Sequence, residues 1–143
     1  MHTFEDVTPG ETREFGSYEV TREEIRSFAE QYDPQPFHLG DDHHASYESV
    51  IASGWHTAAM TMRMLVEEYL NEAKTLGSPG LESLQWRTPV TPGDTLSVRL
   101  TFGETEPWDD SRGLVTQEIE TLNQDGEAVM QMDAQVLYSR DNA

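Results

Sequence analysis

The chain has no cysteine, almost no lysine and no apolar run of membrane-spanning length. Without cysteine, disulfides, thiolate chemistry and cysteine-ligated zinc are all excluded. Lys74 is the only lysine, and nine basic residues face 27 acidic ones, for a formal net charge of −18. A surface so poor in cations lacks the contacts that phosphates require, which argues against nucleic acid as a partner and against docking on an acidic membrane. Internal repeats and low-complexity segments are absent. The start of the chain, Met1-His2-Thr3-Phe4-Glu5-Asp6, is acidic and lacks the basic residues and apolar stretch of a signal peptide. These absences predict a soluble cytoplasmic protein, and 143 residues suit one domain with its own core.

The acids are spread along the whole chain over an intact apolar periodicity, which describes a globular protein with an acidic skin rather than a disordered tail. Self-repulsion of this size is relieved by salt, so the composition points to a high-salt cytoplasm and a halophilic source.

The segment that carries chemistry is Asp33-Pro34-Gln35-Pro36-Phe37-His38. Proline fixes its own φ and disfavours the α conformation in the residue before it, so the two prolines predict a stiff, extended loop with Asp33 and Gln35 outside helical geometry. A carboxylate and an imidazole five residues apart on such a loop can share one water, as general acid–base chemistry requires. On spacing alone, a helix stop with Asp33 capping local amides and His38 exposed fits equally well.

Around this segment the pattern predicts a strand over Glu11 to Val20, then a helix opened by a capping box at Thr21 and Glu24, with Ile25, Phe28, Ala29 and Tyr32 at helical spacing. The helix ends near Asp33-Pro34, and the polar stretch Asp41 to Glu48 allows one or two further turns. A longer helix runs from Trp55 to about Asn71, apolar nearly all round its first half and therefore predicted to be buried. Leu76-Gly77-Ser78-Pro79-Gly80 breaks it. Four strands follow: Leu81 to Trp86, Thr95 to Thr105, one marked by Val115, Ile119 and Thr121, and a last one carrying Met130 to Tyr138 after the Asn123 to Gly126 turn. The order predicts an α+β fold in which an antiparallel sheet wraps a central helix.

Read with its flanking residues, the chain resembles the MaoC-like dehydratases, a hotdog-fold family that includes the R-specific enoyl-CoA hydratases. The resemblance rests on Asp33, Pro36 and His38 after a short helix, on Gly54 at the start of the central helix, and on the Pro89 to Thr95 turn with its Pro92-Gly93-Asp94 sequence. Tyr32, Gln35 and Phe37 depart from the usual motif, and Met62 stands where some hydratases carry a serine. The resemblance implies a hydro-lyase that adds water to a trans-2-enoyl thioester to give an R-3-hydroxyacyl product, on acyl-CoA or a related thioester, without metal or other cofactor. Asp33 and His38 would hold the water, and the Gly54 amide, at the positive end of a helix, would face the enolate oxygen. Phe37, Ser53, Trp55 and His56 are candidate pocket residues, although a histidine on a crowded helix is more often a packing residue. Arg63, Arg87 and Arg99 are candidates for phosphate contacts. The resemblance also implies a homodimer or higher homo-oligomer. A hotdog thioesterase and a non-catalytic acyl-thioester binder are the alternatives.

Three other features read as inert. Asp41-Asp42-His43-His44 is a solvated face rather than a metal site, since adjacent ligand residues point apart. Ser53 lacks the Gly-x-Ser-x-Gly setting of a hydrolase nucleophile. Met60, Met62 and Met64 are core filler.

Overall fold

The computed structural model describes residues 2–40 and 49–141, so the Asp41 to Glu48 turns and the Asp41–His44 patch lie outside the described residues. The elements are β1 (Thr12–Glu19), α1 (Arg22–Tyr32), α2 (Pro36–Leu39), α3 (Gly54–Glu68), β2 (Gly80–Trp86), β3 (Thr95–Pro107), β4 (Arg112–Leu122) and β5 (Ala128–Ser139). The strands form one sheet in the order β1-β3-β4-β5-β2, with every neighbouring pair antiparallel. Helix α3 lies in the sheet's concave face, the hotdog arrangement. Alternation along β3 sends Leu96, Val98, Leu100 and Phe102 into the core, where they join Met60, Met64 and Leu65 of α3 and Val115, Ile119 and Met130 of the neighbouring strands.

Curvature is built into β1. Its register against β3 slips between Phe15 and Tyr18, and Gly16 there takes φ +88°. A Cβ on Gly16 would come within 2.6 Å of the Met64 sulfur, so glycine is required both by the backbone conformation and by the approach of α3.

Thr21 caps α1, its hydroxyl accepting from the Glu24 amide at 3.2 Å. The reciprocal half of the expected capping box is missing. The Glu24 carboxylate turns away to accept from the Tyr18 hydroxyl and His56 instead. Helix α1 buries Ile25 and Ala29 and stops at Asp33, whose φ of −152° and ψ of 67° lie outside the helical region. The segment after it is not extended throughout. Gln35 is, but Pro36 occupies the first position of a one-turn helix, where a missing N–H costs nothing, and Phe37 and His38 ride on that turn. Gly40, at φ 79°, closes it.

The expectation of a helix buried all round needs correction as well. His56, Thr57, Met60, Thr61, Met64 and Leu65 are buried, but Trp55 is 61% and Met62 51% exposed on the outward face. The sheet covers only one side of α3. The helix also ends three residues earlier than its apolar pattern suggests, because Tyr69 leaves helical geometry and Leu70–Glu72 forms a 3-10 turn.

Candidate active site

The loop, the one-turn helix and the start of α3 meet in a cleft of about 450 Å³. Asp33 enters it from the C-terminal cap of α1, His38 from α2, and Ser53 and Gly54 from the first turn of α3. The strand-like run 50–52 is held beside them: the Ile51 amide donates to the Phe37 carbonyl at 3.2 Å, and the Ala52 amide to the Val90 carbonyl at 2.8 Å.

His38 is buried, and its Nδ1 lies 2.7 Å from the Ile51 carbonyl oxygen. A carbonyl only accepts, so Nδ1 carries the proton and neutral His38 presents a bare Nε2. That atom stands 3.3 Å from Asp33 Oδ2. A carboxylate and a bare imidazole nitrogen are both acceptors, and the gap is longer than a charge-assisted hydrogen bond. A water beside the pair can donate one hydrogen to each and present its lone pair elsewhere.

Asp33 is held at both oxygens. Oδ2 accepts from the Ser53 hydroxyl at 2.7 Å, and Oδ1 from the Gln35 side-chain amide at 2.6 Å. Partial burial pushes this carboxyl up, but the hydrogen bonds from Gln35 and Ser53 outweigh it and keep the group below its ordinary range, and the His38 ring adds to that pull only when it is protonated. Asp33 therefore stays ionised at neutral pH.

Ser53 occupies the N-cap of α3 with no side-chain cap hydrogen bond, and its hydroxyl is turned to donate to Asp33. No side chain caps the first amides of α3, and Gly54 and Trp55 at that helix start line the cleft. A close approach does occur at Gly54, but from within the protein: the Trp86 indole lies against it and donates from Nε1 to the Gly54 carbonyl at 2.8 Å. A Cβ at position 54 would come within 2.6 Å of Trp86 Cε2. Trp55 meets Trp86 edge-on, with ring centroids 5.0 Å apart, and the two indoles wall the mouth.

Of the pocket residues expected from sequence, Phe37, Ser53 and Trp55 line this cleft. His56 does not. Its ring turns to the opposite side of α3, stacks on Phe28 with centroids 4.7 Å apart, and lines a second cleft with Tyr18, Glu24 and Arg63. Among the three arginines, Arg87 is the one that reaches the first cleft, with Nη2 donating to Gln131 at 2.9 Å. Arg63 pairs with Glu67, and Arg99 bridges Glu14 and Glu120 on the sheet. Trp86 and Thr57 also line the cleft and were not foreseen. The Trp86-Arg87 pair just before the proline-rich turn was their one visible signal. Among the described residues no group of three or more His, Cys, Asp or Glu side chains converges on a metal position, and no helix is long and apolar enough to cross a membrane.

Known proteins share this architecture. A crystal structure of a MaoC-like dehydratase from Rhodospirillum rubrum superposes with a TM-score of 0.89 at 36% identity, over 100% of both chains. The unliganded R-hydratase PhaJ1 of Pseudomonas aeruginosa shares the fold, with a TM-score of 0.72 at 23% identity over 99% of this chain and 91% of its own. The uncharacterized protein YdeM of Bacillus subtilis (strain 168) is 27% identical over 139 residues, which take in 95% of this chain and 98% of YdeM. The sequence profile described as MaoC like domain matches residues 4–124, from the first 3-10 turn to the hairpin before β5. With α1, the Asp33 to His38 segment, α3 and four of the five strands inside that match, the chain belongs to the MaoC-like domain family.

Proposed function

We propose that this protein is a hydro-lyase that adds water across the C2–C3 double bond of a trans-2-enoyl thioester and catalyses the reverse dehydration. The observation that carries the reading is the pairing of two acceptors: a bare His38 Nε2 lies 3.3 Å from the ionised Asp33 carboxylate, with its tautomer fixed by the Ile51 carbonyl. A water donating to both aims its lone pair at C3 of an enoyl group in the cleft. As its oxygen bonds to C3, one proton passes to the Asp33/His38 pair, the π electrons move onto the thioester oxygen, and the Gly54 amide stabilises that enolate. The pair then returns a proton to C2 as the carbonyl re-forms, so one water is consumed and no other reactant is needed. MaoC-like and R-hydratase relatives support the reaction class and the R stereochemical series. Arg87, at the cleft, is the arginine best placed to meet a phosphate of a CoA thioester.

The working form is a homodimer. Strand β2 is an edge strand whose Leu81 is exposed, and α3 turns Trp55 and Met62 outward. A partner that pairs with the edge and covers these side chains removes both liabilities. Sedimentation in high salt checks this, and a stable monomer would count against it.

Activity is tested by loss of enoyl absorbance when the protein meets crotonyl-CoA and longer trans-2-enoyl-CoAs, with Asp33→Asn as control. Hydration without free thiol supports the proposal. Release of free thiol instead would identify a thioesterase, and binding without turnover a non-catalytic carrier.

A further inference from the structure

The second cleft contains a buried histidine that the proposed chemistry leaves unused. His56 is only 4% exposed, and its Nε2 lies 3.2 Å from Glu24 Oε1, which also accepts the Tyr18 hydroxyl. Its other nitrogen, Nδ1, is enclosed without a partner. The carboxylate acceptor therefore places the hydrogen on Nε2 and leaves Nδ1 bare. Protonating Nδ1 would create a buried donor with nothing to bond, so the ring is held neutral. Burial pushes its pKa down, against the opposing pull of Glu24. The titratable and charged groups facing this ring are Glu24 from α1, Tyr18 from β1 behind it, and Arg63 from α3 itself.

We propose that His56, clasped by Glu24 and stacked on Phe28, is a positioning residue that sets the angle between α1 and the start of α3, and through it the placement of Asp33 against Gly54. Glu24 and Asp33 are separated by nine steps along α1, about 13 Å at 1.5 Å per residue. Both are tied to one turn of α3, Glu24 to His56 and Asp33 to Ser53. One tether would leave α1 free to pivot about the Asp33–Ser53 bond. Two tethers fix its direction, so the carboxylate at one end and the helix amide opposite keep a single relationship. Ring stacking between Phe28 and His56, 7° from parallel, fills the space between the tethers.

The inference rests on the hydratase reading for its kinetic readout but has a second readout that does not. Nitrogen-15 NMR of the histidine ring is expected to show a neutral, Nε2-protonated His56 at neutral pH. Glu24→Ala is expected to raise the Asp33 carboxyl titration, to shift the Gly54 amide resonance, and to cut kcat about tenfold or more with little change in KM. Glu24→Gln, whose amide oxygen still accepts from Nε2 and from Tyr18, should recover the larger part of kcat and restore both resonances. A His56 that is charged or Nδ1-protonated at neutral pH would overturn the proposal. So would a Glu24→Ala protein that is merely less stable, with kcat, the Asp33 titration and the Gly54 signal all unmoved. If the wild type turns over no enoyl thioester, the hydratase reading fails while the two resonance shifts still decide this one.

Discussion

Ser53 donates its hydroxyl to Asp33 Oδ2 at 2.7 Å, and that bond ties the N-cap of the central helix to the C-cap of the helix before it. The hydroxyl's usual task would be to cap its own helix. Here it serves the carboxylate instead.

Ser53→Ala removes one of the donors that hold Asp33 low, so the Asp33 pKa rises toward the ordinary carboxylate range. Since the ionised form is the one that accepts from water, the acid limb of the kcat/KM profile moves to higher pH. Folding stability responds with the same sign. A depressed carboxyl contributes stability above its unfolded pKa and loses it as pH falls through the folded one, so the variant's deficit is greatest near neutral pH and narrows in acid. Parallel pH titrations of rate and of urea midpoint check both statements.

Asp33→Asn replaces the basic carboxylate with a neutral amide, and His38→Ala removes the imidazole acceptor. Turnover is expected to fall by about 10²–10⁴-fold, the range typical of general acid–base groups, with an unchanged far-UV circular dichroism spectrum. A variant retaining most of its activity would separate the dyad from the chemistry.

Gly54→Ala drives a methyl group into the Trp86 indole. The expected cost is about 1–3 kcal/mol, as for overpacked sites, together with a loss of kcat as the indole shifts. Trp86→Ala in the same chain vacates the space and should recover most of the stability, which a double-mutant cycle in urea measures as a coupling energy.

Beneath the far half of α3, Tyr138 donates to the Gln117 side chain and shares a 2.8 Å hydrogen bond with the Tyr69 hydroxyl, all three residues being buried. Tyr138→Phe leaves the Gln117 oxygen without that donor and is expected to destabilise the fold by about 1–3 kcal/mol. Because this network stands apart from the cleft residues, KM should not change.

With a net charge of −18, the folded chain repels itself at low ionic strength. The thermal midpoint should therefore rise from millimolar to molar KCl, most steeply over the first few tenths molar, where screening changes fastest. A flat response would argue against a halophilic setting.

Local pattern carried a large part of this structure. The Thr21 cap, the stop at Asp33 and the four-residue alternation of β3 depend on neighbours within a few positions, and each is where its sequence implies. Contacts between distant segments account for the differences. Glu24 fits the third position of a capping box, but its carboxylate is drawn off by Tyr18 and His56. His56 sits two residues past Gly54 as the helix dictates, yet the direction of its ring is decided by Phe28 and Glu24 across the helix pair. The apolar girdle of α3 gave no indication which face its own sheet would cover and which would carry Trp55 and Met62 outward. Pro36 is compatible both with an extended residue before it and with the first position of a helix, and the turn closed by Gly40 uses both properties.

The indole on Gly54 also turns the protein into its own optical sensor. Two of its three tryptophans, Trp55 and Trp86, meet at the mouth of the cleft, and the third, Trp108, lies in the β3–β4 connection. Any occupant that contacts the start of α3 must disturb the Trp86 environment, so its arrival will register as a change in intrinsic emission. Affinities for candidate thioesters can thus be ranked without a label and without waiting for turnover.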